Sequence, residues 1–336
     1  MPERAQDSLS LIQLLDPEGV RRVGILEDAE GVRLIEGPAT TYALAMEAIR
    51  QGKTLAEVVA SRKTDADLSV ASIVERGALL PPLDHPDPAH LLITGTGLTH
   101  LGSADARNRM HAAQPAEMTD SMKMFQAGLE GGRAPRGEVG AVPEWFFKGT
   151  GASLVGPEAP LEMPGFALDG GDEPEVAGLY VVGPQGRPYR LGFALANEFS
   201  DHVQERQNYL LLAHSKLRPC AVGPELRVGP LPPDVRGICR IYRGDELVWE
   251  KEFLTGEANM SHTISNLEHH HFKYRLFRQP GDAHVHTFGT ATLSFTDGIR
   301  CLPGDRFEIE ADAFLLPLRN RLLQAPSEGW IGVEQL

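Results

Sequence analysis

Hydrophobic and polar positions alternate in short runs along most of the chain, and this pattern predicts a protein built mainly from strands. Near the N-terminus, two alternating runs flank residues 28–31 and predict a β-hairpin. Residues 40–62 carry apolar positions at helical spacing, interrupted by Gly52, and predict two short helices. The Pro-rich stretch 77–90 cannot continue either kind of element, so it is expected to be a connector.

A change in the pattern of apolar and polar residues part-way along the chain predicts two domains. Residues 1–90 are expected to form a small α+β domain, and residues 91–336 a β-rich domain of short strands, one of them over 286–295 and two joined by a hairpin at 244–245. The apolar residues of 104–142 follow neither a helical nor a strand period. So long a stretch is typical of a lid, and a poorly patterned helix is the alternative. The predicted fold class is α+β, mainly β.

Composition and charge exclude some classes of partner. The chain has 336 residues, of which 42% are hydrophobic and 23% charged, and these fractions are ordinary for a soluble globular protein. Its formal net charge of -14 repels phosphate backbones and anionic lipid, so neither nucleic acid nor a membrane is expected as a partner. A small anionic substrate would need a local positive centre, such as a metal ion or a well-placed lysine.

Cysteine usage and the lack of a targeting signal favour the cytoplasm. Cys220, Cys239 and Cys301 are odd in number and widely spaced, which argues against a disulfide framework. The chain shows neither a cationic segment followed by a short apolar one nor an apolar run long enough to span a bilayer. A reducing cytoplasm is therefore the expected location.

Two acidic residues at the start of an apolar strand are the most informative local feature. Glu173 and Glu175 are two positions apart, so on a strand both side chains leave the same face. Such a pair usually lies on a solvated face, but here it opens a strand expected to be buried, where an unpaired carboxylate is costly. This context favours a divalent cation with oxygen ligands. Glu198 follows the next apolar strand after a turn at 183–188, so a hairpin would supply it as a third carboxylate.

Two lysines accompany these acids along the chain. Lys148 follows two aromatic residues, and Lys216 lies on an expected loop after the third acid. Each is most often a surface lysine when considered singly. A lysine that enters a metal site, however, acts as a general base when desolvation and the nearby cation lower its pKa. The ordered combination of both lysines with the three acids is far more specific than any member alone.

In this order, the residues resemble those of the fumarylacetoacetate hydrolase superfamily. Its members carry a Phe-x-Lys segment, a Glu-x-Glu pair on a strand, an Asn-Asp-x-Ser run, a loop lysine and a late Gly-Thr turn. The matching residues here are Phe146, Lys148, Glu173, Glu175, Asn197, Glu198, Ser200, Lys216, Gly289 and Thr290. The resemblance covers about residues 92–312 and includes a closing Pro-Gly-Asp strand at 303–305.

The resemblance implies a fold, a cofactor and roles for the matched residues. The fold would be a mixed β-roll or sandwich, usually dimeric, that holds Mg2+, with Mn2+ or Ca2+ as alternatives. The implied metal ligands are Glu173, Glu175 and Glu198. The implied substrate contacts are Lys148, Gly289 and Thr290. Lys216 would be the base that faces the substrate.

Departures from the family pattern favour one branch of the superfamily. The third acid is Glu198, where the family usually has Asp. The hydrolases also carry an Asn-Tyr-x-x-His run that helps to activate water, and Ser103 stands at the matching position, with a histidine at His100 instead. The sequence is more similar to the branch that dehydrates 2-keto-3-deoxy aldonates in bacterial sugar-acid catabolism.

That branch implies a lyase acting on a small anionic 2-keto acid. A pentonate would be converted to 2-oxoglutarate semialdehyde through a metal-stabilised enolate, with Lys216 removing the C3 proton. A neighbouring acid would protonate the departing C4 hydroxyl. The candidates for this acid are His100, Ser103 and Asp105, which lie where the expected lid begins.

Three alternatives stay open at the level of sequence. The same metal site suits a hydrolase of acylpyruvate-type diketones. A histidine site for Zn or Fe is the second, because His284 and His286 share one strand face near His262 and the run 269–271, although such histidines are ordinarily partly exposed and hydrogen-bonded. The third is a sugar-acid-binding protein without turnover, which the presence of Lys216 disfavours.

Overall fold

The structure, a computed structural model, describes residues 8–102 and 119–336. Strands account for 35% of residues and helices for 24%, so the mainly β class predicted from the sequence is confirmed. The strands of the described ranges are β1 (Ser10–Leu15), β2 (Arg21–Leu26), β3 (Gly31–Ile35), β4 (Thr64–Ser69), β5 (Leu79–Leu80), β6 (Leu91–Gly97), β7 (Glu144–Thr150), β8 (Leu154–Val155), β9 (Leu161–Met163), β10 (Pro174–Val182), β11 (Pro188–Asn197), β12 (Cys220–Val222), β13 (Glu225–Val228), β14 (Val235–Arg243), β15 (Glu246–Thr255), β16 (Ala283–Thr287), β17 (Arg306–Ala311) and β18 (Leu318–Gln324). The α-helices of the same ranges are α1 (Thr41–Gln51), α2 (Leu55–Ala60), α3 (Val70–Glu75), α4 (Asp120–Gly131), α5 (His202–Gln207), α6 (Leu212–Lys216) and α7 (Ile264–Phe272).

The N-terminal elements form as the sequence predicts. β2 and β3 pair antiparallel on either side of residues 27–30. Thr40 caps α1, and Gly52 ends it at φ 64, a left-handed conformation that glycine adopts without strain. α2 then begins with a capping box between Thr54 and Glu57. Gly52 therefore divides the segment with helical spacing, 40–62, into two helices.

Two sheets organise the described residues. The larger has 13 strands, with β4-β3-β2-β1-β13-β11-β10-β16-β6-β7 as a continuous path, and the smaller has the order β15-β14-β17-β18-β9. β1 pairs antiparallel with β13, so strands of residues 1–90 continue the sheet of residues 91–336. The two stretches also share an apolar core that contains Leu11, Leu44 and Leu179. The domain boundary near residue 90 stays a prediction.

β10 and β11 lie between two apolar cores, which explains their nearly continuous hydrophobic sequences. Every residue of β10 is buried. Ala177 and Leu179 pack into the core of the larger sheet, whereas Val176 packs with Phe193 of β11 into the core shared with the smaller sheet. The turn at 183–188 joins the two strands as an antiparallel hairpin. Polar residues at the open end of this hairpin are therefore in buried surroundings.

The segment predicted as a lid contains a helix. Within 104–142, residues Asp120–Gly131 form α4, which is the alternative that the sequence left open. Residues 103–118 lie outside the described residues, and with them the candidate acids Ser103 and Asp105. No helix of the described ranges is long and apolar enough to cross a bilayer.

The strand predicted over 286–295 is wrong beyond Thr287, where β16 ends. The reason is local, because Gly289 has φ 92 and turns the chain away from the sheet. A short 3-10 helix follows at Ser294–Asp297. By contrast, the hairpin predicted at 244–245 is confirmed by the antiparallel pairing of β14 with β15.

Candidate metal centre

The β10–β11 hairpin brings three acidic side chains together. Glu175 lies in β10 opposite Ala196 of β11. Glu173 lies just before β10, and its carbonyl oxygen accepts a hydrogen bond at 3.0 Å from the N–H of Glu198, just after β11. One carboxylate oxygen from each of the three glutamates lies within 4.8 Å of the others. This is the convergence that the spacing of the acids predicts.

All three carboxylates are buried, with exposed fractions of 8% for Glu173, 1% for Glu175 and 0% for Glu198. Because burial penalises the charged form, three such groups need donors to stay ionised. Donors outside the trio include His202 for Glu173, the backbone of Gly289 for Glu175 and Lys148 for Glu198.

Lys216, the last residue of α6, reaches between two of the carboxylates. Its Nζ donates to Glu173 Oε1, to Glu198 Oε2 at 2.8 Å and to Ser200 Oγ at 3.1 Å. The ammonium also lies 5.0 Å from the centroid of the Phe146 ring. The structure therefore places the predicted base at the carboxylate trio.

The charges of the centre shift the carboxyl pKa values in different directions. Burial raises the pKa of Glu175 well above its ordinary value, and the charges of Glu198 and Glu173 add to the rise. Burial also raises the pKa of Glu198, with Glu173 acting in the same direction. Burial acts to raise the pKa of Glu173 as well. Lys216 and His202 outweigh this effect and hold the pKa of Glu173 well below its ordinary value. The surroundings therefore favour the charged form of Glu173 and disfavour that of Glu175 and Glu198, which a further cation would stabilise.

The pKa of Lys216 is raised rather than lowered. Burial lowers it, as the sequence argument expects, but the charges of Glu173 and Glu198 stabilise the ammonium more strongly. The expected fall in pKa is therefore wrong for the protein's own side chains. A role as a base requires a cation that screens these two carboxylates.

Lys148, in β7, contacts the protein on all sides. Its Nζ donates to the carbonyl oxygens of Phe199 at 2.6 Å and Lys216 at 3.1 Å, and it pairs with Glu198 Oε1 at 2.6 Å. An ammonium has three N–H groups, so these three oxygens use all of them. The side chain thus holds Glu198 and the backbone that carries Lys216, and its expected contact with substrate stays a prediction.

Gly289 contacts the centre through its backbone. Its N–H donates to Glu175 Oε2 at 2.6 Å. A Cβ at this position would lie 2.5 Å from Thr99 Oγ1, so only glycine permits the close approach. Thr290, the next residue, is half-buried, and its hydroxyl accepts a hydrogen bond at 3.2 Å from the N–H of Thr292. Contact of Gly289 and Thr290 with a substrate carboxylate stays a prediction.

His100 lies beside the Gly289 turn but is enclosed by protein. Its Nε2 is 2.9 Å from Thr255 Oγ1, and its Nδ1 is 3.1 Å from Thr99 Oγ1. A Cβ on Gly289 would lie 3.5 Å from this Nδ1. Burial lowers the pKa of His100 to about 3, so the ring is neutral near pH 7. This protonation state disfavours His100 as the acid, and the other two candidates fall outside the described residues.

His202, the first residue of α5, belongs to the site and was missed by the sequence analysis. Its Nε2 lies 3.1 Å from Glu173 Oε1, and its Nδ1 lies 3.7 Å from Asp169 Oδ2. Burial lowers the pKa of His202, but Asp169 and Glu173 outweigh it and raise the pKa to about 10. The one local signal is Asp201, which caps α5. No spacing in the sequence joins His202 to Asp169, because the fold makes their contact.

The histidine-rich segment forms a separate cluster. The run 269–271 lies on α7, but His271 is buried rather than partly exposed. Its Nε2 lies 3.1 Å from Nδ1 of His284, and its ring stacks on that of His286 at 4.6 Å. These nitrogens bind each other instead of converging on a ligand. Throughout the described ranges, the carboxylate trio is the one group of three or more candidate ligands whose atoms lie within 4.8 Å of one another, which disfavours the histidine metal site.

The donor set of the trio fits a hard divalent cation. Carboxylate oxygens are the ligands that Mg2+, Mn2+ and Ca2+ prefer. The raised pKa values of Glu175 and Glu198 indicate negative charge that the surrounding side chains do not fully compensate. Glu173, Glu175 and Glu198 are therefore the residues that would hold the ion.

The whole fold is similar to those of known enzymes. An apo structure of 2-keto-3-deoxy-D-arabinonate dehydratase is 18% identical, with a TM-score of 0.69 over 95% of this chain and 100% of that chain. A 5-carboxymethyl-2-hydroxymuconate delta-isomerase from Mycobacterium smegmatis is 16% identical, with a TM-score of 0.57 over 94% and 100% of the two chains. This chain has the fold of the fumarylacetoacetate hydrolase superfamily.

A third neighbour of this superfamily fold is a structure of 2-keto-3-deoxy-D-arabinonate dehydratase complexed with magnesium and 2,5-dioxopentanoate. It is 18% identical, with a TM-score of 0.69 over 95% of this chain and 100% of that chain. No family model and no curated protein matches the chain. Because a dehydratase and an isomerase share the fold, the reaction has to be argued from the site.

Proposed function

We propose that this protein is a metal-dependent lyase that dehydrates a 2-keto-3-deoxy sugar acid, a pentonate, to 2-oxoglutarate semialdehyde. The observation that carries the proposal is the buried cluster of Glu173, Glu175 and Glu198 with the Lys216 ammonium between two of them. Such a centre combines a site for a hard cation with a lysine that could accept a proton as the neutral amine. The dehydratase neighbour that holds magnesium and 2,5-dioxopentanoate supports the same cation and product.

The charges of the site favour a small monoanion as substrate. Three ionised carboxylates face two ammonium groups, those of Lys148 and Lys216. The positive charge of His202 and the negative charge of Asp169 cancel each other. Counted over these groups alone, three negative charges face two positive ones, and a divalent cation would leave one net positive charge. A 2-keto acid with a single carboxylate would bring the buried site to neutrality, the state in which burying charges is least costly.

The proposed reaction begins with loss of a proton from C3. A bound divalent cation would supply positive charge near the keto oxygen and so make the C–H at C3 more acidic. Once a cation screens Glu173 and Glu198, the Lys216 ammonium would release a proton to solvent, and the neutral amine would then take the C3 proton. The C4 hydroxyl then departs as water after it gains a proton, and tautomerisation gives the semialdehyde.

Other residues would orient the substrate and supply the second proton. Thr290, together with the Gly289 turn, is proposed to hold the substrate carboxylate, a role that contributes through positioning. The acid for the C4 hydroxyl remains one of His100, Ser103 and Asp105. As part of the same proposal, the protein works as a homodimer in the cytoplasm.

A substrate panel with and without EDTA tests this function. We expect water loss from 2-keto-3-deoxy pentonates, with hexonates assayed in parallel, and we expect EDTA to abolish it and Mg2+ to restore it. Lys216→Met should abolish turnover while the protein stays folded. Release of pyruvate from an acylpyruvate would instead indicate a hydrolase on the same centre. Turnover that persists in excess EDTA, or no turnover of any 2-keto acid, would contradict the proposal.

A further inference from the structure

Glu173 is held by a buried pair of side chains from two other segments. His202 is 1% exposed and Asp169 is 6% exposed. Nε2 of His202 lies 3.1 Å from Glu173 Oε1. Because an ionised carboxylate only accepts hydrogen bonds, Nε2 must be the donor in this contact. Nδ1, at the other end of the ring, lies within ion-pair distance of Asp169, at 3.7 Å from Oδ2.

The surroundings of the ring fix its orientation. It stacks on Phe295, with ring centroids 5.3 Å apart and an interplanar angle of 28°. Gly171 allows the ring to lie where it does, because a Cβ there would be 2.3 Å from His202 Nδ1. The ring therefore has packed neighbours on its face and at its edge, and little freedom to turn away from Glu173.

Asp201 connects the segments that carry the pair. One of its oxygens accepts a hydrogen bond from the N–H of Gln204 at 2.9 Å and so caps α5, which His202 begins. The other accepts from the N–H of Leu168 at 2.9 Å and from Arg218 at 2.9 Å. The residue before Asp169 and the residue before His202 are thereby joined, which brings Asp169 and His202 together.

We propose that His202, oriented by Asp169, is a positioning residue that fixes the carboxylate of Glu173 for binding of the divalent cation. The inference rests on the proposed metal-dependent function and adds to it a group outside the ligand trio. A carboxylate that is already oriented loses less rotamer freedom when it binds an ion. Donors that orient metal ligands in this way typically change metal affinity about 10- to 100-fold when they are removed.

Metal binding by the full-length protein without substrate tests the inference. The probe is Mn2+, titrated into chelator-treated protein and followed by the loss of the free-ion EPR signal. His202→Phe keeps a ring against Phe295 and removes the donor, and we expect about 10- to 100-fold weaker binding. His202→Gln keeps an amide donor and should recover part of the affinity. Asp169→Asn should weaken binding by a smaller factor.

A matched variant separates this effect from a general loss of packing. His286→Phe makes the same change at another fully buried histidine, one that lies in the separate cluster with His271. We expect it to leave Mn2+ affinity unchanged. The unfolding temperature of each variant in EDTA shows whether it is folded, and if His202→Phe fails to fold, His202→Gln and Asp169→Asn decide the question.

The outcomes distinguish the two proposals. Failure of the unmodified protein to bind Mn2+ would overturn the metal-dependent function and the inference with it. Binding by the unmodified protein with equal affinity in the folded His202 and Asp169 variants would overturn the inference alone. Loss of affinity in His202→Phe with partial rescue in His202→Gln supports the positioning role.

Discussion

A fully buried lysine is stable in this protein because three oxygens surround its ammonium. Lys148 binds Glu198 and the carbonyl oxygens of Phe199 and Lys216. Removing one partner of a buried ion pair leaves the other charge without compensation. The same contact keeps Glu198 oriented for the trio, so stability and metal binding depend on one side chain.

Lys148→Met keeps the length of the side chain and removes its charge. We expect the free energy of unfolding, measured in urea, to fall by about 3–5 kcal/mol, because Glu198 stays buried with one of its two ammonium partners lost and the two carbonyl oxygens lose their donor. Lys123→Met is the control, since Lys123 pairs with Asp120 on an exposed face of α4, and it should cost about 0–1 kcal/mol. Equal losses in the two variants would contradict this account of Lys148.

Gly289 combines two constraints that a pair of variants separates. Its φ is 92, and a Cβ would lie 2.5 Å from Thr99 Oγ1 and 2.8 Å from the carbonyl oxygen of Thr96. Gly229 has a comparable φ of 101 with nothing within 4 Å of its Cβ position. Gly229→Ala should therefore lose only the backbone term of about 1–3 kcal/mol.

Gly289→Ala should lose more than Gly229→Ala, because a backbone oxygen cannot rotate away from the new methyl group. The displaced backbone also carries the N–H that binds Glu175, so Mn2+ affinity should fall in Gly289→Ala and stay unchanged in Gly229→Ala. Urea unfolding and Mn2+ titration measure the two effects. An alanine at position 289 that is no more harmful than one at 229 would show that the close approach is unimportant.

The sequence predicts the trio more reliably than the groups that support it. Glu173 and Glu175 are two positions apart at the start of β10 and Glu198 directly follows β11, so a single hairpin is enough to place them. His202 and Asp169 come together only through the packing of separate segments, and no local pattern encodes that contact. Lys148 was expected to face substrate because its position in the chain does not show that three protein oxygens enclose it.

Elements differ in how far local sequence determines them. The hairpins predicted around 28–31 and 244–245 both form, because turn residues separate two alternating runs in each. β16 ends at Thr287, although apolar residues continue further along the sequence, because Gly289 turns the chain. A pattern of apolar residues shows that a segment is buried, but a glycine with positive φ decides where its strand ends.

β16 also carries buried histidines whose titration should make the protein sensitive to acid. Burial lowers the pKa of His286 to about 3 from an ordinary value of 6.5. The unfolded chain therefore binds a proton below pH 6.5 that the folded protein refuses until about pH 3, and the free energy of unfolding falls as the pH drops between these values. At about pH 5 this one group costs about 2 kcal/mol.

His286→Phe removes the titrating group and keeps a ring against His271. We expect the drop in unfolding temperature between about pH 7.5 and about pH 5 to be smaller in this variant, even though loss of the contact to Thr94 costs about 1 kcal/mol at neutral pH. His269→Gln, at an exposed position of α7, is the control and should keep the slope of the unmodified protein. An unchanged slope in His286→Phe would contradict the assignment.

At the scale of the whole molecule, the described strands of residues 1–90 belong to the same larger sheet as β6, β10, β11, β13 and β16 of residues 91–336. β1 binds β13 on one side and β2 on the other. β13 in turn binds β11, whose end carries Glu198. Separation of the N-terminal strands would leave the edge of β13 unpaired and expose the shared core around Leu11 and Leu179.

We therefore expect the chain to unfold in one cooperative transition rather than two. A stretch that shares a sheet and a core with the rest cannot lose its structure without exposing apolar surface on the remainder, so an intermediate with residues 1–90 unfolded would be poorly populated. Calorimetry checks this, because the calorimetric and van't Hoff enthalpies should agree. Two resolved transitions, one of them insensitive to Mg2+, would instead support independent domains. With a single transition, saturating Mg2+ at 100 times its Kd should stabilise the entire molecule by about 2.7 kcal/mol, since the ion would bind only when the β10–β11 hairpin is folded.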